Sequence, residues 1–300
     1  MNTPRRVLDS SFNATVFTFE IIAVFLLVFF CLVWKLIAVI LKKNENKIFL
    51  TLGFVLATFI SILVPIGLSA IGSRNPIHLM INPLIVIFNS FLLGYGASGQ
   101  TPLAKGILGQ PIVKGIPYLI GGQILGGLFG LLFFYIFFCL YKFVNKKNLE
   151  QNKTNELTFL SLFANKSNLS IGRFVVKESF FILLLMLLFP FIGMINTATY
   201  SSNHFQLHLA QLVVIGVIIL ISSFFNFFAF HLIFPIIEII MQSIIYLKLD
   251  KEQRNKEKKN YLMQWTKLLI VILLTILIPI IIAFICIAIK IQTKAIISLS

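Results

Sequence analysis

The distribution of apolar residues is the feature that most constrains this chain. Six apolar stretches are long enough to cross a bilayer, because a spanning helix needs about 20 such residues. Two further stretches, 83–93 and 235–247, are only as long as re-entrant or interfacial segments. The pattern predicts an all-α integral membrane protein with six transmembrane helices and two half-helices. The six long stretches are 16–41, 48–71, 116–141, 174–194, 207–230 and 261–289.

The composition excludes a soluble enzyme. Of the 300 residues, 58% are hydrophobic and 12% are charged, whereas soluble domains average about 45–50% and about 25%. Too few charged side chains are available to cover a globular surface. The three cysteines, Cys31, Cys139 and Cys286, stand alone in apolar runs, which indicates neither disulfides nor a metal site. We therefore expect no enzymatic activity, no cofactor and no metal.

The formal net charge is +15, from 25 Lys and Arg against 10 Asp and Glu. The cations lie in short clusters between the apolar runs, where they would meet lipid headgroups. We therefore expect a multi-pass protein of the cell membrane, with the lipid bilayer as a partner and no nucleic acid. The Lys- and Asn-rich segments 142–173 and 248–260 are interpreted as solvated connectors.

The two halves of the chain repeat one pattern. A carboxylate, Glu20 in the first half and Glu178 in the second, lies early in an apolar helix. A second helix, a Pro-containing short stretch and a third helix then follow. Because each half holds an odd number of spans, the second copy must enter the membrane from the opposite side. We expect one channel domain with inverted repeats at about 12–141 and 170–292.

The pair Asn82-Pro83 is suited to starting a helix. Asn is a strong N-cap, and Pro at the first helical position has a preset φ and lacks an N–H that would go unpaired. The apolar run that follows favours a half-helix at membrane depth. An Asn-Pro turn in an ordinary loop is the alternative.

Three motifs in this order resemble the first half of the aquaporin and glycerol-facilitator family, the major intrinsic proteins. They are Glu20 within a Phe-rich helix, the segment from His78 to Leu84, and the glycine-rich helix start at 116–127. The second half resembles the family more weakly, through Glu178 and the closing 278–283 run.

The resemblance implies passive diffusion of small neutral solutes, such as glycerol or water, through a homotetramer with one pore per subunit. It implies that Asn82 faces the pore, that Pro83 opens a half-helix and that Leu84 replaces the usual Ala. Glu20 and Glu178 would accept hydrogen bonds from the re-entrant backbone. The alternative is that each carboxylate lies at a helix end and reaches water.

The second half departs from the family pattern. His231, Leu232 and Ile233 stand where Asn-Pro-Ala is expected, and Phe234 replaces the selectivity-filter Arg. Alternatively, the half-helix begins at 235, with Glu238 in its first turn. His231 could face either the pore or a neighbouring helix.

Gly122, Gly126 and Gly130 are spaced four residues apart, which predicts a smooth face for close helix packing.

Two other functions fit the sequence. One is an inverted-repeat secondary transporter that uses Glu178, Glu238 or His231 as a proton site. The other is a degenerate membrane scaffold that conducts nothing.

Overall fold

The computed structural model describes residues 12–73, 79–96, 115–145, 157–163, 170–192, 204–225 and 227–293. Within these ranges the chain forms eight α-helices and a short 3-10 helix, and no strand. The fold class is therefore all-α. His78 lies outside the described residues. The helices are α1 (Ala14–Ile40), α2 (Lys47–Ser73), α3 (Pro83–Gly96), α4 (Ile116–Val144), the 3-10 helix (Leu160–Phe163), α5 (Ile171–Ile192), α6 (His204–Ser223), α7 (Ile233–Lys248) and α8 (Lys251–Thr293).

Four helices, α1, α2, α4 and α8, are long and apolar enough to cross a membrane. Their length and composition are consistent with an α-helical membrane protein. α5 is 22 residues long but carries Arg173, Lys177 and Glu178 in its first turns. The described apolar part of α6, Leu209–Ser223, is shorter than a span. Among the described residues, four of the six expected crossings are thus both long and apolar enough to span a membrane.

Local sequence explains where α1 begins and ends. The Asn13 side chain accepts hydrogen bonds from the backbone N–H groups of Thr15 and Val16, at 3.0 and 3.1 Å, which satisfies two of the donors that every helix start leaves open. After Ile40 the chain turns through Lys42, whose φ is +55°. A left-handed residue of this kind terminates a helix.

The helices pack as two similar sets. α1 contacts α2 and α4, α5 contacts α6 and α8, and a contact between α2 and α6 joins the sets. The two short helices pack into these sets: α3 into the set of α5, α6 and α8, and α7 into the set of α1, α2 and α4. Leu84 and Phe88 of α3 pack with buried residues of α5, α6 and α8. Ile233 and Ile237 of α7 pack with buried residues of α1 and α4.

Two expected boundaries in the second half are wrong. The fifth apolar stretch was expected to remain helical to residue 230, but α6 ends at Ser223 and residues 227–232 are non-helical. The short helix begins at Ile233, so the alternative start at 235 is also wrong and Glu238 lies in the second turn. The interrupting segment is as apolar as the helices beside it, so hydropathy carries no signal of the break.

Both segments interpreted as solvated connectors contain ordered structure. Residues 251–260 belong to α8, where Glu252 and Lys256 form an ion pair of 2.7 Å one turn apart. Within the other connector, Leu162 and Phe163 are buried. The Gln242 side chain donates to the Phe163 carbonyl at 2.6 Å, which ties this segment to α7.

Candidate functional site

Asn82 caps the N-terminus of α3. Its Oδ1 accepts a hydrogen bond from the Leu84 N–H at 3.0 Å, and its carbonyl oxygen accepts from the N–H groups of Ile85 and Val86. Pro83 is the first helical residue, where it has no N–H to satisfy. Ile81, just before the cap, has a φ of +57°. This left-handed residue turns the chain sharply into the helix.

His231 performs the same capping role for α7. Its Nδ1 accepts a hydrogen bond from the Ile233 N–H at 3.0 Å, two residues ahead, as Asn82 does for Leu84. Because Nδ1 is an acceptor, the proton lies on Nε2. Nε2 then donates to the Ile81 carbonyl oxygen at 2.5 Å. Both ring nitrogens therefore bond to backbone.

The tips of α3 and α7 are joined by reciprocal hydrogen bonds. Asn82 Nδ2 donates to the Phe230 carbonyl oxygen at 2.6 Å, and His231 Nε2 donates to the Ile81 carbonyl oxygen. Each cap thus bonds to the residue that precedes the other cap. The two N-termini, each with a partial positive charge of the helix dipole, face one another in the protein interior.

Glu20 holds the segment that leads into α3. Its carboxylate accepts from the backbone N–H groups of Met80 and Ile81 at 2.5 and 3.1 Å, and from Gln123 Nε2 at 3.0 Å. Its side chain is fully buried. The alternative of a carboxylate at an exposed helix end does not fit this position.

Glu178 holds the segment that leads into α7. Its carboxylate accepts from the Ala229 N–H at 2.8 Å and pairs with the adjacent Lys177 ammonium at 2.9 Å. The same ammonium donates to the Phe227 carbonyl oxygen at 2.6 Å. The two carboxylates therefore occupy matching positions, but only Glu178 has a neighbouring cation among the described contacts.

The glycines of α4 lie against α1. A Cβ built on Gly122 would touch the Phe17 ring at 3.1 Å, one on Gly130 would touch the Phe25 carbonyl at 2.9 Å, and one on Gly126 would overlap the Ile21 carbonyl oxygen. Backbone approaches this close require residues without side chains.

Aromatic rings lie beside the tips. The Phe234 ring, at the position expected for an arginine, lies 5.9 Å from the Phe54 ring centroid and 6.3 Å from that of His231. Phe54 also contacts Phe227, at 5.8 Å. The rings present an apolar wall at this point. In the part of the chain that the structure describes, no three His, Cys, Asp or Glu side chains could hold a metal ion.

Four residues of this site were not identified from the sequence. Gln123 and Lys177 bond to the two carboxylates, and Phe54 and Phe227 form the aromatic contact. Gln123 lies within the motif that suggested the family, and Lys177 precedes Glu178, so both carried a local signal. Phe54 is one of 32 phenylalanines, and nothing in its local sequence distinguishes it.

Comparison with known proteins finds no family model, no curated protein and no solved structure that matches the chain. The likeness to aquaporins therefore rests on the residues described above.

Proposed function

We propose that this protein is a multi-pass channel of the cell membrane with an aquaporin-like architecture. In this proposal, six helices span the bilayer and α3 and α7 are half-helices that enter from opposite faces. The channel facilitates passive diffusion of small neutral solutes such as glycerol or water, without a cofactor or energy coupling. The reciprocal hydrogen bonds between Asn82 and Phe230 and between His231 and Ile81 are the observation that supports it most strongly.

The physical reason is the cost of non-helical backbone in lipid. Segments 79–82 and 227–232 are not helical, and such backbone is tolerated at membrane depth only inside protein or beside water. Glu20 and Glu178 satisfy part of this backbone. Two opposed helix N-termini would also repel cations while leaving neutral solutes unaffected.

We also propose a homotetramer, as the resemblance implies. α4 presents exposed aromatic residues, Phe129, Phe133 and Phe137, which would face lipid or a neighbouring copy. Chemical cross-linking of the protein in native membranes would yield a four-subunit product if this assembly forms.

The function is tested by stopped-flow swelling of proteoliposomes that contain the purified protein. Fast glycerol or water flux that does not saturate with concentration supports the channel. Saturable uptake that depends on an ion gradient would identify a transporter instead. A swelling rate equal to that of protein-free liposomes would support neither the channel nor the transporter.

One observation favours a second candidate, a scaffold that conducts nothing. The Phe54 ring lies against both Phe227 and Phe234, and three large rings beside the helix tips would close a narrow passage. Under this candidate, the wild-type protein produces no flux above that of protein-free liposomes.

A further inference from the structure

The helix α8 continues well beyond its apolar part. It contains 43 residues, Lys251–Thr293, whereas about 20 are enough to cross the hydrocarbon core of a bilayer. Its first ten residues, 251–260, include seven charged side chains and are here called the α8 extension. If α8 crosses the bilayer, as proposed above, these turns project out of the hydrocarbon core.

One exposed face of α8 changes its chemistry along the helix axis. Positions three, four or seven residues apart lie on the same side of a helix. The face carries lysines in the α8 extension and apolar side chains beyond it, with a tryptophan near the boundary. Its exposed residues are Lys251, Lys258, Leu262, Trp265, Leu269, Leu273 and Ile276.

The spacing along this face places the lysines at the depth of lipid headgroups. At 1.5 Å per residue, Lys258 lies about 6 Å beyond Leu262 and Lys251 about 16 Å beyond it. The headgroup layer is about 5–7 Å thick on each side of the hydrocarbon core. Lys258 is therefore level with the lipid phosphates. Lys251 lies in the adjoining water, within about one Debye length of them.

Contacts with the end of α7 hold the α8 extension in place. The Tyr261 ring stacks on that of Tyr246 with 4.4 Å between centroids, and its hydroxyl lies 3.0 Å from Ser243 Oγ. Arg254 Nε donates to the Leu249 carbonyl oxygen at 2.9 Å. The lysines thus project from an ordered helix, so little backbone ordering is needed when a ligand binds.

The charge of this region favours an anionic partner. Segment 248–260 contains six Lys and Arg against three Asp and Glu, a net charge of +3. Lys256 pairs with Glu252 on another side of the helix. In the part of the chain that the structure describes, Lys251 and Lys258 form no ion pair with a carboxylate and are exposed. Both ammonium groups are therefore available to a phosphate outside the protein.

We propose that the α8 extension binds anionic phospholipids, with the lipid phosphate at Lys258 and Lys251 and its acyl chains against Leu262 and Leu269. Lysines beside a membrane-spanning helix attract anionic lipids. A zwitterionic lipid offers the same phosphate without a net charge, so it binds less tightly. This inference rests on the proposed crossing of the bilayer by α8, but it does not require the proposed channel.

Trp265 provides a fluorescent reporter for the test. The chain has two tryptophans, so Trp34→Phe, which retains an aromatic ring beside Phe49, leaves only Trp265. This variant is reconstituted in mixed bilayers of phosphatidylcholine and phosphatidylglycerol. One of the two lipids carries bromine near the top of its acyl chains. Because bromine quenches tryptophan fluorescence only at short range, the two quenching levels give the relative affinity for the lipids.

We expect phosphatidylglycerol to bind about tenfold more tightly than phosphatidylcholine at low salt. The preference should nearly vanish at about 1 M salt, because the Debye length then falls to about 3 Å. Equal quenching by the two brominated lipids at low salt would overturn the proposal. A preference that is unchanged at high salt would also overturn it.

Two substitutions in the reporter variant locate the site. Lys258→Gln removes a charge from the proposed face, so the preference for phosphatidylglycerol should fall about fivefold. Lys256→Gln is the matched control, because it removes the same charge from another side of the same segment and should change the preference less than about twofold. Equal effects of the two substitutions would contradict the proposed face.

A second measurement uses the chain with both tryptophans, in case Trp34→Phe fails to fold. In a maltoside detergent, added phosphatidylglycerol should raise Tm to a plateau, and phosphatidylcholine should raise it less. Equal rises would overturn the proposal. Solute flux is measured separately, so a protein that prefers anionic lipid but conducts nothing would refute only the proposed function. The absence of quenching by either lipid would show that α8 does not cross the bilayer, which refutes both.

Discussion

Asn82 and His231 are equivalent residues in the two halves of this protein. Each accepts a hydrogen bond from the backbone N–H two residues ahead, and each donates to the carbonyl oxygen of the residue before the other. A histidine thus substitutes for the asparagine of the first half. The substitution is chemically sound because an imidazole, like an amide, has one acceptor and one donor at suitable positions.

This equivalence predicts the effect of replacing His231. His231→Asn retains an acceptor for the Ile233 N–H and a donor for the Ile81 carbonyl, so most of the stability should be kept. His231→Leu leaves both backbone groups unsatisfied and should lower the free energy of unfolding by about 2 kcal/mol or more. Unfolding in mixed micelles measures the difference. Equal losses of unfolding free energy in the two variants would show that the hydrogen bonds of His231 do not stabilise the fold.

Removal of the Glu20 carboxylate should be costly. Glu20→Ala leaves the N–H groups of Met80 and Ile81 and the Gln123 amide without their acceptor. We expect a loss of about 3 kcal/mol or more in the free energy of unfolding. The control is Glu45→Ala, at an exposed position, which should change stability by no more than about 0.5 kcal/mol. A comparable small change at Glu20 would show that the carboxylate does not hold this segment.

The pair of Lys177 and Glu178 should behave as one unit. Lys177→Met leaves the buried Glu178 carboxylate without its cation, and Glu178→Gln leaves the ammonium without its anion. Each single variant should therefore be strongly destabilised, whereas the double variant should recover part of the loss. A double-mutant cycle measures this coupling, expected to be about 1 kcal/mol or more. Strict additivity would contradict the ion pair.

The contact between α1 and α4 can be tested with two glycines of the same helix. Gly126→Ala would add a Cβ that overlaps the Ile21 carbonyl oxygen. This variant should lower the free energy of unfolding by about 2 kcal/mol. Gly121→Ala meets no atom within 4 Å and should be neutral, or stabilising by up to about 1 kcal/mol through helix propensity. The thermal unfolding temperatures of the two variants give the comparison, and a reversed order would exclude this packing.

The aromatic contact should limit flux if the protein conducts. Phe54→Ala removes the ring that touches both Phe227 and Phe234, so glycerol flux in proteoliposomes should rise severalfold. Leu52→Ala is the control, because Leu52 is exposed on the outer face of the same helix. If both variants keep the wild-type flux, the rings do not form the constriction.

The first half of the fold could be predicted closely from the sequence. The expected span 116–141 and the observed Ile116–Val144 differ by only three residues at one end, because a glycine-proline start and a long apolar run are strong signals. The start of α3 was predicted because Asn82-Pro83 provides both a cap and a first helical residue.

The second half was predicted less well, for identifiable physical reasons. A histidine cap has no strong sequence signature, so the start of α7 was left between two registers. The end of α6 was missed because residues 224–230 are as apolar as the helix itself. The ring contacts of Phe54 depend on tertiary packing between helices far apart in sequence, which no local pattern reveals.

The central claim is that the tips of α3 and α7 meet beside a passage for solutes. Met80, partly exposed just before the α3 cap, is replaced by cysteine in a protein whose native cysteines are serines. A neutral benzyl thiosulfonate then adds a bulky group, while Leu125→Cys, exposed on α4, serves as the control. The account predicts that labelling at position 80 stops glycerol flux and labelling at position 125 does not. Complete labelling at position 80 with unchanged flux would contradict it.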